Sequence, residues 1–172
     1  MAAAVAISPA EPAFDERSLR DAFGRFATGV ALVTTEVEGT PLGLIVSSFA
    51  AVSLDPPLVS FCPARDSLTW RRMRSARHFA VHVLSARSSE YARRAAAPGA
   101  DRFADPEALR DALAVIECDL EAEHPAGDHS IVVGRVRGLQ VARDGEPLVY
   151  FAGGFGAFEA ATPAARPGRG VR

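Results

Sequence analysis

The chain changes character most abruptly in FAAVSLDPPLVSFCPARDSLTW, residues 49–70. An apolar, strand-like run passes through two prolines, resumes at Leu58, and breaks after Cys62 into the polar segment PARDS. Two short apolar runs separated by prolines are typical of strands joined by a tight turn. The serines and the arginine that crowd this stretch indicate more than a simple turn, and they make it a candidate surface for an anionic ligand.

Strand patterns continue on both sides of this stretch. Residues 78–84 alternate, with His78, Ala80 and His82 on one face and Phe79 and Val81 on the other. The remaining apolar or β-branched runs predict further strands at 29–37, 42–54, 57–62, 113–124, 129–142 and 147–155. A tight turn is expected at Gly127–Asp128, just before His129. A short hairpin is expected at Asp144–Gly145, between the last two strands.

Helices are predicted at three places between these strands. Leu19, Ala22, Phe23 and Phe26 have helical spacing, with Asp15 or Ser18 as the cap and Gly29 as the stop. The other two helices are expected at 67–76, burying Leu68, Trp70 or Met73, and at 85–97. Six or seven strands with two or three flanking helices predict a mainly β, antiparallel barrel. The strict strand–helix alternation of a doubly wound α/β fold is absent.

Composition is that of an ordinary globular domain. The chain has 172 residues, 48% hydrophobic and 23% charged, with a formal net charge of −2. This balance gives no general attraction to nucleic acid or to an anionic membrane. No signal-peptide or membrane-spanning pattern is present, and two unpaired cysteines fit a reducing cytoplasm. We expect one domain over 14–160, between disordered tails at 1–13 and 161–172.

Several isolated features argue against familiar catalytic sites. The GGFG at 153–156 follows a strand, but no helix opens behind it, so it is not a dinucleotide fingerprint. His78 and His82 share a strand face, but no further ligand completes a metal site, and none is expected. Cys62 ends an apolar strand, which is a poor setting for a nucleophile.

Three features of the sequence each allow two interpretations. Arg71, Arg72, Arg74 and Arg77 form either a solvated basic face or an attraction for an anionic ligand. His129, at a strand end, is either a turn residue or a functional one. The hydroxyls of Ser67 and Thr69, at the start of the helix expected at 67–76, are either simple caps or part of an anion-binding site.

Taken together, the order of six motifs resembles the flavin reductase-like, split-barrel flavin-binding family. The motifs are FATGVALVTT, GLIVSSFAAVSLDPPLVSFCPARDS, HFAVHVL, DRF, GDHSIVVGRV and PLVYFAGGFG, and the resemblance covers about residues 15–158. More narrowly, the chain is similar to the small NADH:flavin oxidoreductases that serve two-component monooxygenases. The resemblance implies a homodimer of six-stranded Greek-key split barrels, with flavin in a groove at the dimer side.

The resemblance also implies the roles of individual residues. The flavin ring and ribityl chain would lie along Ser47, Ser48, Ala51, Val52 and Ser53. The phosphate end of the flavin would meet the segment at the end of the strand expected at 57–62, namely Cys62, Pro63, Ala64, Arg65 and Ser67. Arg102 and Phe103 would close over the flavin. His129, the implied catalytic residue, would lie near the nicotinamide, with Tyr150 and Phe155 in the same pocket.

The function that follows is an NADH-dependent reductase of FAD or FMN that hands reduced flavin to a separate monooxygenase. Hydride transfer between two stacked rings needs positioning more than acid or base catalysis, and the chain shows no carboxylate pair or triad. Two alternatives stay open: a protein that retains flavin as an electron carrier or ligand-binding module, and a barrel that has lost flavin and acts in protein interactions.

Overall fold

The computed structural model describes residues 14–97, 99–103, 109–142 and 145–159. The tails expected at 1–13 and 161–172 lie outside these residues. The α-helices are α1 (Glu16–Phe23), α2 (Leu68–Met73) and α3 (Ser89–Ala95). Short 3₁₀ segments follow α2 and precede α3, at Arg74–Ala76 and Ala86–Ser88. Over the described ranges, every helix is too short or too polar to cross a membrane.

Ten strands make up about half of the described chain. In chain order they are β1 (Thr28–Gly29), β2 (Ala31–Val37), β3 (Thr40–Val46), β4 (Ala50–Leu54), β5 (Pro57–Phe61), β6 (His78–Val83), β7 (Ala114–Ala126), β8 (His129–Val141), β9 (Leu148–Phe151) and β10 (Gly154–Ala157). They form a seven-stranded sheet in the order β3-β2-β6-β7-β8-β5-β4 and a three-stranded sheet in the order β1-β9-β10. All pairs are antiparallel. The mainly β, antiparallel split-barrel fold is therefore confirmed, with seven strands in the large sheet instead of six.

The large sheet has to curl because its two edge strands are neighbours in sequence. β3 and β4 lie at opposite edges, yet only residues 47–49 connect them. In a flat sheet, seven strands would hold these edges about 29 Å apart. A three-residue connection spans at most about 15 Å. The sheet therefore closes on itself and leaves a split between β3 and β4. The expected single strand over 42–54 is wrong for this reason.

The interior of the barrel is filled by one apolar cluster. Phe61 is fully buried at its centre and contacts two rings edge-on, Trp70 of α2 and Phe79 of β6, each with centroids 5.3 Å away. Leu42 and Val46 of β3 belong to the same cluster as Val59 of β5. Strands from both sides of the split thus share one core, which holds the curled sheet together through apolar burial.

A second cluster lies outside the barrel, beneath α3. It contains Leu32, Leu84, Tyr91 and Leu148, with Tyr150 and Phe155 packed against it. The hairpin expected between the last two strands is wrong: β8 is paired on both edges, with β7 and β5, and β9 pairs with β1 and β10. β9 pairs with β1 and β10 in the smaller sheet, and this position buries Leu148 in the second cluster. Of the turn itself, Asp144 lies outside the described residues.

The structure corrects the end of the first helix and shows which of the expected residues the second helix buries. α1 starts at the expected cap, since Asp15 Oδ1 accepts from Ser18 N at 2.7 Å, but it ends at Phe23 and Gly29 lies in β1. None of its residues is buried. α2 buries Trp70 and Met73 as expected, but Leu68 is 74% exposed. The apolar side chains of α1 therefore remain available to other surfaces.

β4 carries a β-bulge that changes the direction of one expected site residue. Ala51 pairs with Val59, whereas Ser53 pairs with Leu58, so Val52 is the extra residue. Side chains of directly opposite residues share a face, and neighbours along β5 face opposite ways. Ala51 and Ser53 therefore lie on opposite faces of β4, where a regular strand would place both on one face.

Gly134 of β8 offers a sharp test of the barrel core. A Cβ on Gly134 would lie 2.5 Å from Phe79 Cζ and 3.1 Å from Cys118 Cβ. Gly134→Ala should therefore lower the free energy of unfolding by about 1–3 kcal/mol through overpacking. Gly156→Ala is the matched control, because nothing lies within 4 Å of its added Cβ, and its effect should stay within about 0.5 kcal/mol. Urea unfolding measures both, and equal losses would contradict the packing described here.

Candidate functional site

The β7–β8 hairpin and the segment after β5 form the first part of the site. Ala126 pairs with His129 across a two-residue turn, with Gly127 at φ 63°, so the expected Gly127–Asp128 turn is confirmed. His129 in turn forms an isolated bridge with Ala64. Arg65 N donates to Asp128 O at 2.9 Å, and Ser130 N donates to Pro63 O at 3.0 Å. Backbone pairing therefore sets His129 beside the CPAR segment.

Ser48 ties the β3–β4 connection to the same place. Its Oγ accepts a hydrogen bond from Cys62 N at 2.9 Å. The residues brought together here are Ser48, Cys62, Pro63, Ala64, Arg65 and His129, six of those that the resemblance implied. Cys62 is half-buried and Pro63 is buried, so their side chains shape the surface from below. The Ser48 hydroxyl therefore already accepts a hydrogen bond within the protein, which joins the β3–β4 connection to the end of β5.

Arg65 and Ser67 lie at the exposed end of this group. Arg65 NH1 donates to Gly127 O at 3.3 Å, and the side chain is exposed. Ser67 caps α2, since its Oγ accepts from Trp70 N at 3.1 Å, so the capping interpretation is confirmed. The Ser67 hydroxyl proton is not consumed by that bond. Both side chains retain donors for an anionic ligand.

His129 is held by its neighbour in the turn. Its Nδ1 lies 2.8 Å from Asp128 Oδ1, and this hydrogen bond holds the pKa of the Asp128 carboxyl below its ordinary value. The bond orients the ring and assigns Nδ1 the proton when the imidazole is neutral. Nε2 makes no hydrogen bond to a described residue, so it is the nitrogen left for a ligand.

A cavity of about 530 Å³ forms the second part of the site, on the other side of the β3–β4 connection. Ser47 and Tyr150 line it, and Tyr150 packs against Phe155 with centroids 5.4 Å apart. Among its other lining residues, two that the sequence did not assign to the site matter here. Thr28, opposite Tyr150 in β1, has a buried Oγ1 with no hydrogen-bond partner, and Phe26 is 77% exposed. Both lie in the FATGV motif, which is the sequence feature that could have indicated them.

The remaining expected site residues are more scattered. Ala51 and Val52 are exposed on the edge strand β4, while Ser53 is half-buried on the opposite face. Arg102 and Phe103 pack elsewhere: both lie within 3.5 Å of the position that a Cβ on Gly43 would take, on the face of the large sheet that carries Leu32. Ser47 and Ser48 are consecutive residues, so they join the two groups along the chain, whereas Arg102 and Phe103 border the second cluster.

The histidines and cysteines outside this surface have structural surroundings. His82 Nε2 lies 3.0 Å from Thr34 Oγ1, and burial lowers the pKa of its imidazole. Burial, together with the Asp119 charge, raises the pKa of the Cys118 thiol to about 11. Within the described part of the chain, no three His, Cys, Asp or Glu side chains are grouped to hold a metal ion.

The arrangement suits binding and positioning of a planar, anionic molecule. We call the polar residues Ser47, Ser48 and Arg65 the strip: Ser47 lines the cavity that Tyr150 also lines, the next residue, Ser48, is bonded to Cys62, and Arg65 follows three residues later beside the Ala64–His129 bridge. Aromatic surfaces accept flat rings, and guanidinium and hydroxyl donors accept phosphate oxygens. Such a surface favours reactions that need two rings held together.

Comparison with known proteins agrees with this chemistry. The chain matches the model of the flavin reductase like domain over residues 23–159. It is 43% identical over 154 residues to an FMN reductase (NADH) of Agrobacterium fabrum, covering 84% of this chain and 87% of that protein. It is 36% identical over 159 residues to the reductase subunit of a flavin-dependent monooxygenase of Rhodococcus jostii, covering 87% and 82%.

A solved structure extends the likeness to three dimensions. The NADH:FAD oxidoreductase of Streptomyces globisporus, in complex with NAD and FAD fragments, superposes with a TM-score of 0.79 at 32% identity. The superposition covers 87% of this chain and 96% of that one. The family model covers most of the domain, and the relatives exceed 30% identity over nearly their whole length. This chain therefore belongs to the family of the flavin reductase like domain.

Proposed function

We propose that this protein is an NADH-dependent flavin reductase, which reduces FAD or FMN by hydride transfer and supplies the reduced flavin to a separate monooxygenase. The observation that carries the proposal is that Ser47–Ser48 connects the cavity lined by Tyr150 to the segment that ends at the cationic Arg65. A bound flavin supplies the redox chemistry, since its ring accepts a hydride from NADH. The residues of this chain hold and orient the two ligands.

The residues present fit a flavin. Thr28 Oγ1 is buried without a partner, beside Ser47, and a hydroxyl in that state is costly unless a ligand completes its hydrogen bond. β4 is an edge strand, so its outer backbone groups are available to a polar ring edge. Arg65 and Ser67 retain donors for a phosphate. The site is rich in donors and aromatic surface, as a flavin requires.

Each group has a separate task in this proposal. Ser47, Ser53 and the β4 backbone bind the ring and ribityl chain, while Arg65 and Ser67 bind the phosphate. Tyr150 and Phe155 form an apolar wall that excludes water from the reacting rings. His129 Nε2 hydrogen-bonds the nicotinamide, held in orientation by Asp128. Arg102 and Phe103 border the flavin from the second cluster.

The partner and the location are part of the same proposal. One relative is a reductase subunit of a flavin-dependent monooxygenase, and we assign this chain the equivalent place in a two-component system. An exposed strip suits a ligand that has to leave after reduction. We place the protein in the cytoplasm, where NADH is abundant and where Cys62 and Cys118 remain free thiols.

The direct test is NADH oxidation by the purified protein with FAD, FMN or riboflavin. Addition of flavin should raise the rate far above the rate without protein, because the site holds both rings in reactive contact. Absorbance at the NADH band measures this. Protein that carries tightly bound flavin but does not turn over NADH would instead support the flavin-retaining carrier. A protein that neither binds nor reduces flavin would overturn both assignments.

His129→Ala tests the assignment on the nicotinamide side. Loss of one hydrogen bond of about 1.4 kcal/mol should slow NADH oxidation about tenfold, with the flavin Kd nearly unchanged. His124→Ala is the matched control, because His124 is exposed on the same hairpin and makes no part of the strip. Stopped-flow reduction and flavin titration separate the two effects. Unchanged reduction kinetics in His129→Ala would remove this residue from the site.

A homodimer completes the proposal, and it is supported by apolar side chains that one chain leaves in water. Leu54, at the β4–β5 turn, is 94% exposed, and Val52 beside it is 54% exposed. Phe23 of α1 is 71% exposed, and no residue of that helix is buried. An apolar face of this kind is normally covered by a partner surface. We therefore place β4, and with it the flavin strip, at the subunit interface.

Leu54→Asp tests that placement. A charge at a closed apolar interface is costly, so the variant should shift from dimer to monomer and bind flavin more weakly. Leu139→Asp is the control, since Leu139 is also largely exposed but lies on β8, toward the opposite end of that strand from His129. Light scattering after size-exclusion chromatography gives the masses. A wild-type monomer, or dissociation by Leu139→Asp alone, would contradict the proposed interface.

A further inference from the structure

A second cavity, of about 600 Å³, lies beside α2. Three arginines line it, Arg65 from the segment after β5 and Arg71 and Arg74 from α2, and we call it the arginine cavity. Its other lining residues are Trp70, Glu123, Pro125 and Ser130. A volume of this size is within the range of small-molecule sites. The cavity is not used by the hydride-transfer site described above, apart from Arg65.

The arginines keep most of their hydrogen-bonding capacity. Arg65 NH1 donates to Gly127 O at 3.3 Å, and Arg71 Nε donates to Arg65 O at 3.3 Å. Arg74 NH1 lies 3.5 Å from Glu123 Oε2. Within the described residues each guanidinium thus uses one of its five N–H donors. The Arg71 bond is made to the backbone carbonyl of Arg65, so it holds Arg71 beside this segment without using the Arg65 guanidinium.

The charges of the cavity are unbalanced. Glu123 is its only carboxylate among the described lining residues, against three guanidinium groups, which leaves an excess of two positive charges. Glu123 is already engaged, since its Oε1 accepts from Trp70 Nε1 at 3.1 Å. Paired guanidinium groups with free donors recognise phosphate oxygens, and a diphosphate carries about two negative charges. The chemistry of the cavity is that of a diphosphate site.

The position of Arg65 connects this cavity to the flavin strip. Arg65 follows Ala64, which bridges to His129, and its amide donates to Asp128 O. From Arg65 the strip continues to Arg71 and Arg74, one and two turns along α2 and its 3₁₀ extension. A ligand that has one phosphate at Arg65 and extends by a second phosphate into the cavity would also meet Arg71 and Arg74.

We propose that the arginine cavity binds the second phosphate of the FAD diphosphate, the one that carries the adenosine, so that Arg71 and Arg74 make this protein prefer FAD to FMN. The inference rests on the proposed flavin reductase function and adds its flavin preference. FMN ends at its one phosphate, which Arg65 and Ser67 bind, and it gains nothing from Arg71 or Arg74. FAD gains both contacts.

The experiment compares Arg71→Gln, Arg74→Gln and the double variant with Arg72→Gln. Arg72 is an exposed arginine of the same helix that does not line the cavity, so it controls for net charge and helix stability. Dissociation constants for FAD, FMN and riboflavin are measured by flavin fluorescence, at low and high salt. Thermal unfolding of each variant checks that the fold is unchanged.

The double variant should raise the Kd for FAD roughly tenfold, with those for FMN and riboflavin nearly unchanged. Its FAD affinity should also depend less on salt than that of the wild type. Equal losses for FAD and FMN, no loss for FAD, or a rise only in the KM for NADH would each overturn the proposal. The last result would assign the cavity to the diphosphate of NADH. A wild-type protein that binds none of the three flavins would overturn the flavin reductase function itself.

Discussion

The rest of the structure depends on one short connection, residues 47–49, which joins the two edge strands of a seven-stranded sheet. No flat sheet satisfies it, because three residues cannot bridge the width of seven strands. The sheet curls, Leu42 and Val46 meet Val59 in one core, and Ser48 Oγ accepts a hydrogen bond from Cys62 N at the split. Closure is thus enforced by chain length and stabilised by apolar burial.

The same closure assembles the site. Ser47 lines the same cavity as Thr28 and Tyr150. Ser48 is hydrogen-bonded to Cys62, at the start of the CPAR segment, and Ala64 of that segment pairs with His129. Residues distant in sequence therefore meet along a strip a few residues long, on rigid strands. A reductase of this kind needs rings held in contact more than it needs an acid or base, and backbone pairing provides that rigidity.

Much of this was predictable from local patterns, and the rest was not, for a physical reason. The alternation of residues 78–84 and the Gly127–Asp128 turn each follow from neighbouring residues, so the sequence predicts them correctly. The break at 47–49, the assignment of β9 to the smaller sheet and the face of Ser53 depend on which distant strand pairs with which. The unpartnered hydroxyl of Thr28 also depends on tertiary packing, and FATGV alone does not indicate it.

The bulge at Val52 makes the register of β4 as important as its composition. Because Val52 is an extra residue, Ser53 lies opposite Leu58 and Leu54 opposite Pro57. If Val52 instead took a regular place opposite Leu58, every residue beyond it would shift by one position along β5, and Ser53 would turn to the face of Ala51, with Leu54 turning as well. A substitution at these positions alters one contact, but a shift of register alters the whole edge.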